Sequence, residues 1–185
     1  ARRSEEGIEL RVHPTLVPES SLIAGVNDVS NAVMVNADAV GTTLYYGPGA
    51  GSEPTASAVL ADVVDIARVM DSYPDSWVPP LGCDTAQLQQ QKIMEIEDVE
   101  TGFYIRFSAL DKPGVLSDVT KIMGDAGISI EAIIQREQPA GEHYVNVIIL
   151  TNVTKEKFLD EAVVHIEKLA TVRGNVNFIR LEYLD

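Results

Sequence analysis

The residues best spaced for chemistry are Gly47-Pro48-Gly49-Ala50-Gly51-Ser52, with three glycines inside five positions. They follow the β-like run 40–46 and precede a long helical pattern. Strand, glycine turn and helix start in that order let backbone N–H groups approach a ligand, and the helix adds unpaired donors and a partial positive charge. An anionic or strongly dipolar ligand suits such a place. On spacing alone, a tight structural turn that only needs φ > 0 is the stronger reading, since a glycine-rich turn by itself is a weak signal.

Other chemistry-bearing residues are scattered. Asp62 and Asp65 lie three apart on one helix face, with Arg68 as a ready partner, which reads as a solvated face rather than a carboxylate pair for metal or acid work. His13 falls on the polar phase of a strand with no carboxylate beside it, and His143 and His165 lie on different elements, so all three read as structural or exposed. Cys83 is the lone cysteine; it forms no internal disulfide or cysteine-cluster metal site, has no partner motif as a nucleophile, and suits a reducing cytoplasm. No catalytic residue and no metal ligand can be assigned.

The chain has 185 residues, with 14 Lys and Arg against 28 Asp and Glu, for a formal charge of −14. That balance argues against nucleic acid and anionic membrane surfaces as partners. Hydrophobic residues at 45% are ordinary for a globular protein, and no apolar run approaches the ~20 residues of a membrane span. The start Ala1-Arg2-Arg3-Ser4-Glu5-Glu6 has no methionine and no apolar signal core, as expected for a segment that begins inside a longer protein.

The elements that must position these residues follow from periodicity. Ile8, Leu10 and Val12 alternate as a strand ending at Pro14, residues 19–24 suit a short helix closed by Gly25, and 26–36 and 40–46 read as a strand pair. So small a sheet should complete a larger one or pair with another subunit. A helix over 53–70, with Ser52 as N-cap, turns Val59, Val63, Ile66, Ala67 and Met70 inward. Residues 71–100 read as a linker, with Trp77 anchoring it to a domain surface.

From residue 101 a strand (Phe103, Ile105, Phe107, Ala109) leads through Asp111-Lys112-Pro113-Gly114 into a helix bearing Val115, Leu116, Val119, Ile122, Met123 and Ala126, closed by Gly127. Strands at 128–137 and 142–151 join through Pro139-Ala140-Gly141. Thr154 caps a helix with Phe158, Ala162, Val163, Ile166 and Leu169 inward, and 176–184 is the last strand. The expected fold class is α+β: a small, mostly antiparallel sheet with a returning helix over 1–70, then a ferredoxin-like βαββαβ domain over 101–185.

Two resemblances add to this. Asp111-Lys112-Pro113-Gly114-Val115-Leu116 and Gly127-Ile128-Ser129-Ile130, in that element order, resemble an ACT domain, a small-molecule regulatory module of amino-acid metabolism. Asn31-Ala32-Val33, Asp38-Ala39-Val40-Gly41, Tyr46 to Gly51, Pro54 to Val59 and Asp62 to Ala67 resemble the end of the catalytic region of bacterial homoserine dehydrogenase. The second resemblance implies an NAD(P)-dependent oxidoreductase interconverting aspartate 4-semialdehyde and homoserine, on the route to threonine and methionine. It also implies a homodimer or higher oligomer formed through the N-terminal sheet and the ACT domains, with Gly49, Ala50 and Gly51 beside the cofactor.

The ACT resemblance implies an effector site at Asp111, Pro113, Gly114, Val115, Leu116, Gly127 and Ile128, with threonine as the effector; Gly114 would expose amides to an amino-acid carboxylate at a helix start. The dinucleotide fingerprint and the family's catalytic lysine and aspartate match nothing here. This chain alone is therefore expected to be inactive and to bind NADP or NAD only as part of an intact parent. The alternative is an amino-acid-binding regulatory module without catalysis. A different ACT-bearing enzyme is disfavoured by the match over 47–67.

Overall fold

A computed structural model describes residues 1–70, 82–135 and 143–184. In chain order its elements are β1 (Arg2–Arg3), β2 (Ile8–Glu9), β3 (Thr15–Leu16), β4 (Ser30–Ala37), β5 (Gly41–Pro48), α1 (Ser52–Val69), β6 (Glu100–Leu110), α2 (Val115–Asp125), β7 (Ile130–Gln135), β8 (Tyr144–Thr151), β9 (Thr154–Lys155), α3 (Glu156–Glu167) and β10 (Val172–Leu181), with short 3-10 turns at Leu22–Gly25, Thr85–Gln87 and Ile96–Asp98. Trp77, the Tyr73-Pro74 and Val78-Pro79-Pro80-Leu81 parts of the linker and the Pro139-Ala140-Gly141 connection lie outside the described residues.

The chain forms two compact units, Ala1–Val17 with Gln91–Asp185, and Pro18–Gln90. This division differs from the expected 1–70, 71–100 and 101–185, and backbone pairing is the reason. β3 lies parallel to β10, Thr15 opposite Arg180, and Glu182 N–H donates to Leu16 O at 2.9 Å. Ile8 bridges Ile93. Arg11, only 10% exposed, meets Glu182 at 2.9 Å and Glu9 at 3.3 Å, and Arg2 pairs with Glu182 as well. The first 17 residues thus belong with the C-terminal sheet.

That sheet runs β3-β10-β6-β8-β7, with β9 beside β6. Its β10-β6-β8-β7 part is antiparallel throughout, the arrangement expected of a βαββαβ unit. Strand alternation sends Phe103, Ile105, Phe107 and Ala109 inward, against Val115, Val119 and Met123 of α2 and Leu159, Ala162 and Ile166 of α3, all buried. Gly127 ends α2 at φ 74, its N–H bonding Gly124 O, with Ile128 N–H on Met123 O at 2.9 Å.

Several expectations shift by a residue or more. Thr154 is no cap: it pairs in β9 with Thr101, and Lys155 precedes α3 with no side-chain cap. The helix therefore turns Leu159 fully inward, while Phe158, expected in the core, is 39% exposed. The last strand starts earlier, at Val172, and is interrupted between Arg173 and Asn177, where Gly174 takes φ 74. The expected strand from Ile8 to Val12 shortens to Ile8–Glu9, because Arg11 is drawn into the Glu9 and Glu182 cluster. The expected helix at 19–24 is a 3-10 turn.

In the second unit β4 and β5 form a two-stranded antiparallel hairpin from Ser30 opposite Pro48 to Ala37 opposite Gly41. α1 follows, and none of its residues is buried. Val59, Val63, Ile66 and Met70, expected inward, are each more than half exposed. Two strands and one helix enclose too little space to cover that stripe, as a hairpin of this size would suggest. Arg68 meets Asp65 at 3.6 Å with both side chains exposed, so Asp62 and Asp65 occupy a solvated face as expected.

Candidate functional site

The glycine turn is built by close approach. A Cβ on Gly49 would lie 1.8 Å from Asn31 Nδ2, and Gly49 N–H bonds Val29 O at 3.3 Å. Gly51 stands at φ 123 as the N-cap of α1, a conformation that favours glycine; Ser52, the expected cap, is instead the first helical residue. Thr55 closes the first turn by donating its N–H and its hydroxyl to Gly51 O at 3.2 and 2.8 Å. Pro54 has no N–H to offer and Glu53 adds a carboxylate. At the helix start the donors left are the amides of Ser52 and Glu53, beside a negative side chain that weakens the place as a cradle for a pyrophosphate. The turn suits a wall of a pocket better than a phosphate clamp.

The second location gathers more. Gly114, at φ 95, is the N-cap of α2 with no side-chain cap. Asp118 N–H bonds Gly114 O at 3.0 Å and Val115 N–H reaches Lys112 O at 3.4 Å. The amides of Leu116 and Ser117 meet no acceptor among the described residues, and they carry the positive end of the helix dipole. Leu116, next to Ser117, lines a cavity of about 150 Å³ whose walls also include Asp111, Lys112 and Pro113, over buried Val145 and Val147. Gln135 closes one side, its Nε2 donating to Asp111 Oδ1 at 3.1 Å.

The structure therefore brings Asp111, Pro113, Gly114, Val115 and Leu116 together and leaves out two of the expected residues. Gly127 and Ile128 sit at the opposite end of α2, the second in the core at 4% exposure. Sequence reasoning missed Gln135. It reaches the turn because β7 lies beside β8, with Gln135 opposite Val147, and no local motif signals that.

Elsewhere several charged groups are held in ion pairs. Lys157 donates to Asp98 at 2.8 Å, which holds the Asp98 carboxyl below its ordinary value and raises Lys157. Partial burial, with Glu156 close by, raises Asp160. Glu156 itself is buried and paired with Arg180. Among the described residues no group of three or more His, Cys, Asp or Glu is placed to hold a metal ion.

Comparison with known proteins agrees with this architecture. Residues 103–162 match the sequence model of the ACT domain, and with the β10-β6-β8-β7 sheet carrying α2 and α3 they define a protein with an ACT regulatory module. Residues 1–64 match the model of homoserine dehydrogenase. The homoserine dehydrogenase of Pseudomonas aeruginosa is 49% identical over 185 residues, covering 100% of this chain and 43% of that protein. That of Neisseria gonorrhoeae is 46% identical, covering 99% and 42%. A crystal structure of a homoserine dehydrogenase from Thiobacillus denitrificans superposes with a TM-score of 0.89 at 52% identity, over 100% of this chain and 41% of that one. The chain thus corresponds to the C-terminal part of the homoserine dehydrogenase family, and it spans less than half the length of the curated relatives it matches.

Proposed function

We propose that the protein of which this chain forms a part interconverts aspartate 4-semialdehyde and homoserine. NAD(P) would accept or supply the hydride. The observation that carries this reading is the 49% identity along the whole chain, with the strand, the glycine turn and most of the following helix, residues 41–64, inside the matched region. In it, Gly49, Ala50 and Gly51 wall the cofactor pocket from the side opposite the phosphates. The exposed stripe of α1 packs on the rest of the catalytic region, and the β4–β5 hairpin contributes to a homodimer. Catalytic side chains and the dinucleotide fingerprint lie in the parent, so these 185 residues alone are inactive. The setting is a cytoplasmic route to threonine and methionine.

The ACT domain acts as the sensor. An α-amino acid, threonine in this reading, places its carboxylate on the amides of Leu116 and Ser117 and its ammonium near Asp111, with Val145 and Val147 under the side chain. The cavity and its unpaired donors favour this place over Gly127 and Ile128. They equally support the second reading, a regulatory module that binds an amino acid without catalysis. Assay of the intact protein separates the two: homoserine-dependent reduction of NADP or NAD supports the enzyme reading, and its absence with both leaves only the module.

A further inference from the structure

The ACT sheet has a second concave site, on the face turned away from α2 and α3. Along β6 the residues alternating with the buried ones include Arg106 and Ser108. Arg106 stands opposite Asn177, and Ser108 opposite Arg173. The interruption of β10 between Arg173 and Asn177 opens a hollow of about 270 Å³, walled by Arg106, Ser108, Asn146, Arg173, Asn175 and Asn177. Irregularities of this kind re-aim side chains. The Arg173 guanidinium is steadied over the Tyr144 ring at 5.4 Å.

The charge in this hollow runs against the rest of the molecule. Acids outnumber bases 28 to 14 in the chain, yet among the described residues no carboxylate borders the hollow. Among the described residues neither Arg106 nor Arg173 forms an ion pair. Two like charges held on one small surface without an acid favour a bound anion. Each guanidinium brings five N–H donors and each carboxamide two, more than the roughly four lone-pair sites of a single carboxylate can use. A phosphate group, with a charge of about −1.5 to −2 at neutral pH and three strong acceptor oxygens, balances two arginines and uses more of the donors.

We propose that this face of the ACT sheet binds a phosphate-class dianion between Arg106 and Arg173, either inorganic phosphate or the phosphate of a small ester. Tyr104 and Ile148, half-buried beside Arg106 on the same face, would meet the organic part of an ester. The site is separate from the cavity at Asp111 to Leu116 and does not depend on the dehydrogenase reading.

The test is calorimetric and NMR titration of the chain in phosphate-free buffer at low salt, with inorganic phosphate, adenosine 5′-monophosphate and acetate. Expected are saturable binding of the phosphates with shifts of the Arg106 and Arg173 Nε–Hε signals, and at least about tenfold weaker binding in Arg106→Gln/Arg173→Gln with an unchanged melting temperature. Tighter binding of the nucleotide identifies an ester as the occupant, and equal binding identifies free phosphate. Arg106→Lys, which keeps the charge but loses the fork, should fall between wild type and the double variant. The proposal is overturned by no saturable binding, by equal affinity in the double variant, by acetate binding as tightly as phosphate, or by shifts confined to the Leu116 and Ser117 amides.

Discussion

Gly114 offers a perturbation that separates structure from recognition at the proposed effector turn. It stands at φ 95, and a Cβ there would meet nothing within 4 Å. Gly114→Ala therefore costs backbone strain alone, about 1–2 kcal/mol, or roughly 4–8 °C of melting temperature per kcal/mol in a domain of this size. Gly114→Asp carries the same strain, but as an N-cap its carboxylate can bond the helix amides and return about 1 kcal/mol, so it should be no less stable than the alanine variant.

Binding should order the two variants the other way. A carboxylate about 4 Å from a ligand carboxylate repels it by up to about 4 kcal/mol at an effective dielectric of about 20, and solvent at the open turn reduces this. Calorimetry of the purified variants with threonine should show binding within about threefold of wild type for alanine, and a loss well beyond tenfold, which is about 1.4 kcal/mol, for aspartate. Equal affinity of the two variants would refute the placement of the ligand carboxylate on Leu116 and Ser117.

Other predictions follow the same geometry. Leu159→Ala should lower unfolding free energy in urea by about 2–5 kcal/mol because the residue is fully buried, whereas Phe158→Ala, one position away and partly exposed, should cost far less. Asp98 has a lowered pKa, so its contribution is present above the ordinary carboxylate value of 3.8 and disappears as pH falls through the depressed one; Lys157→Met should raise the Asp98 titration followed by NMR and flatten the acid limb. Glu182→Gln removes the shared partner of Arg2 and Arg11. It should speed exchange of the backbone amide at position 182, which bonds Leu16 O, while leaving protection in α2 and α3 unchanged; unaltered exchange would show that the ion pairs do not hold β3 in the sheet.

The βαββαβ unit was legible because its signals are local: alternation from Phe103 to Ala109, glycine punctuation at Gly114 and Gly127, and helical spacing from Val115 to Ala126. What escaped depends on partners distant in sequence. Ile8 to Val12 alternates like a strand, but Arg11 is claimed by Glu182, 171 positions away, and Thr15–Leu16 finds its partner in β10. Thr154 reads as a cap until its pairing with Thr101 is known. At the proposed effector turn the motif singles out Asp111 to Leu116, while Gln135 needs the sheet order. Gly127 and Ile128 were drawn in by motif alone and lie one helix length away. α1 shows the converse: its apolar stripe is legible from spacing, but spacing does not say that the two-stranded hairpin of the same unit is too small to bury it.

The central claim is tested most directly by assaying the intact protein for homoserine oxidation, following NADPH or NADH absorbance with each cofactor in turn, alongside the 185-residue chain under the same conditions. The expected result is homoserine-dependent reduction of at least one cofactor by the intact protein and none by the isolated chain. Absence of homoserine-dependent reduction of either cofactor by the folded intact protein would contradict it.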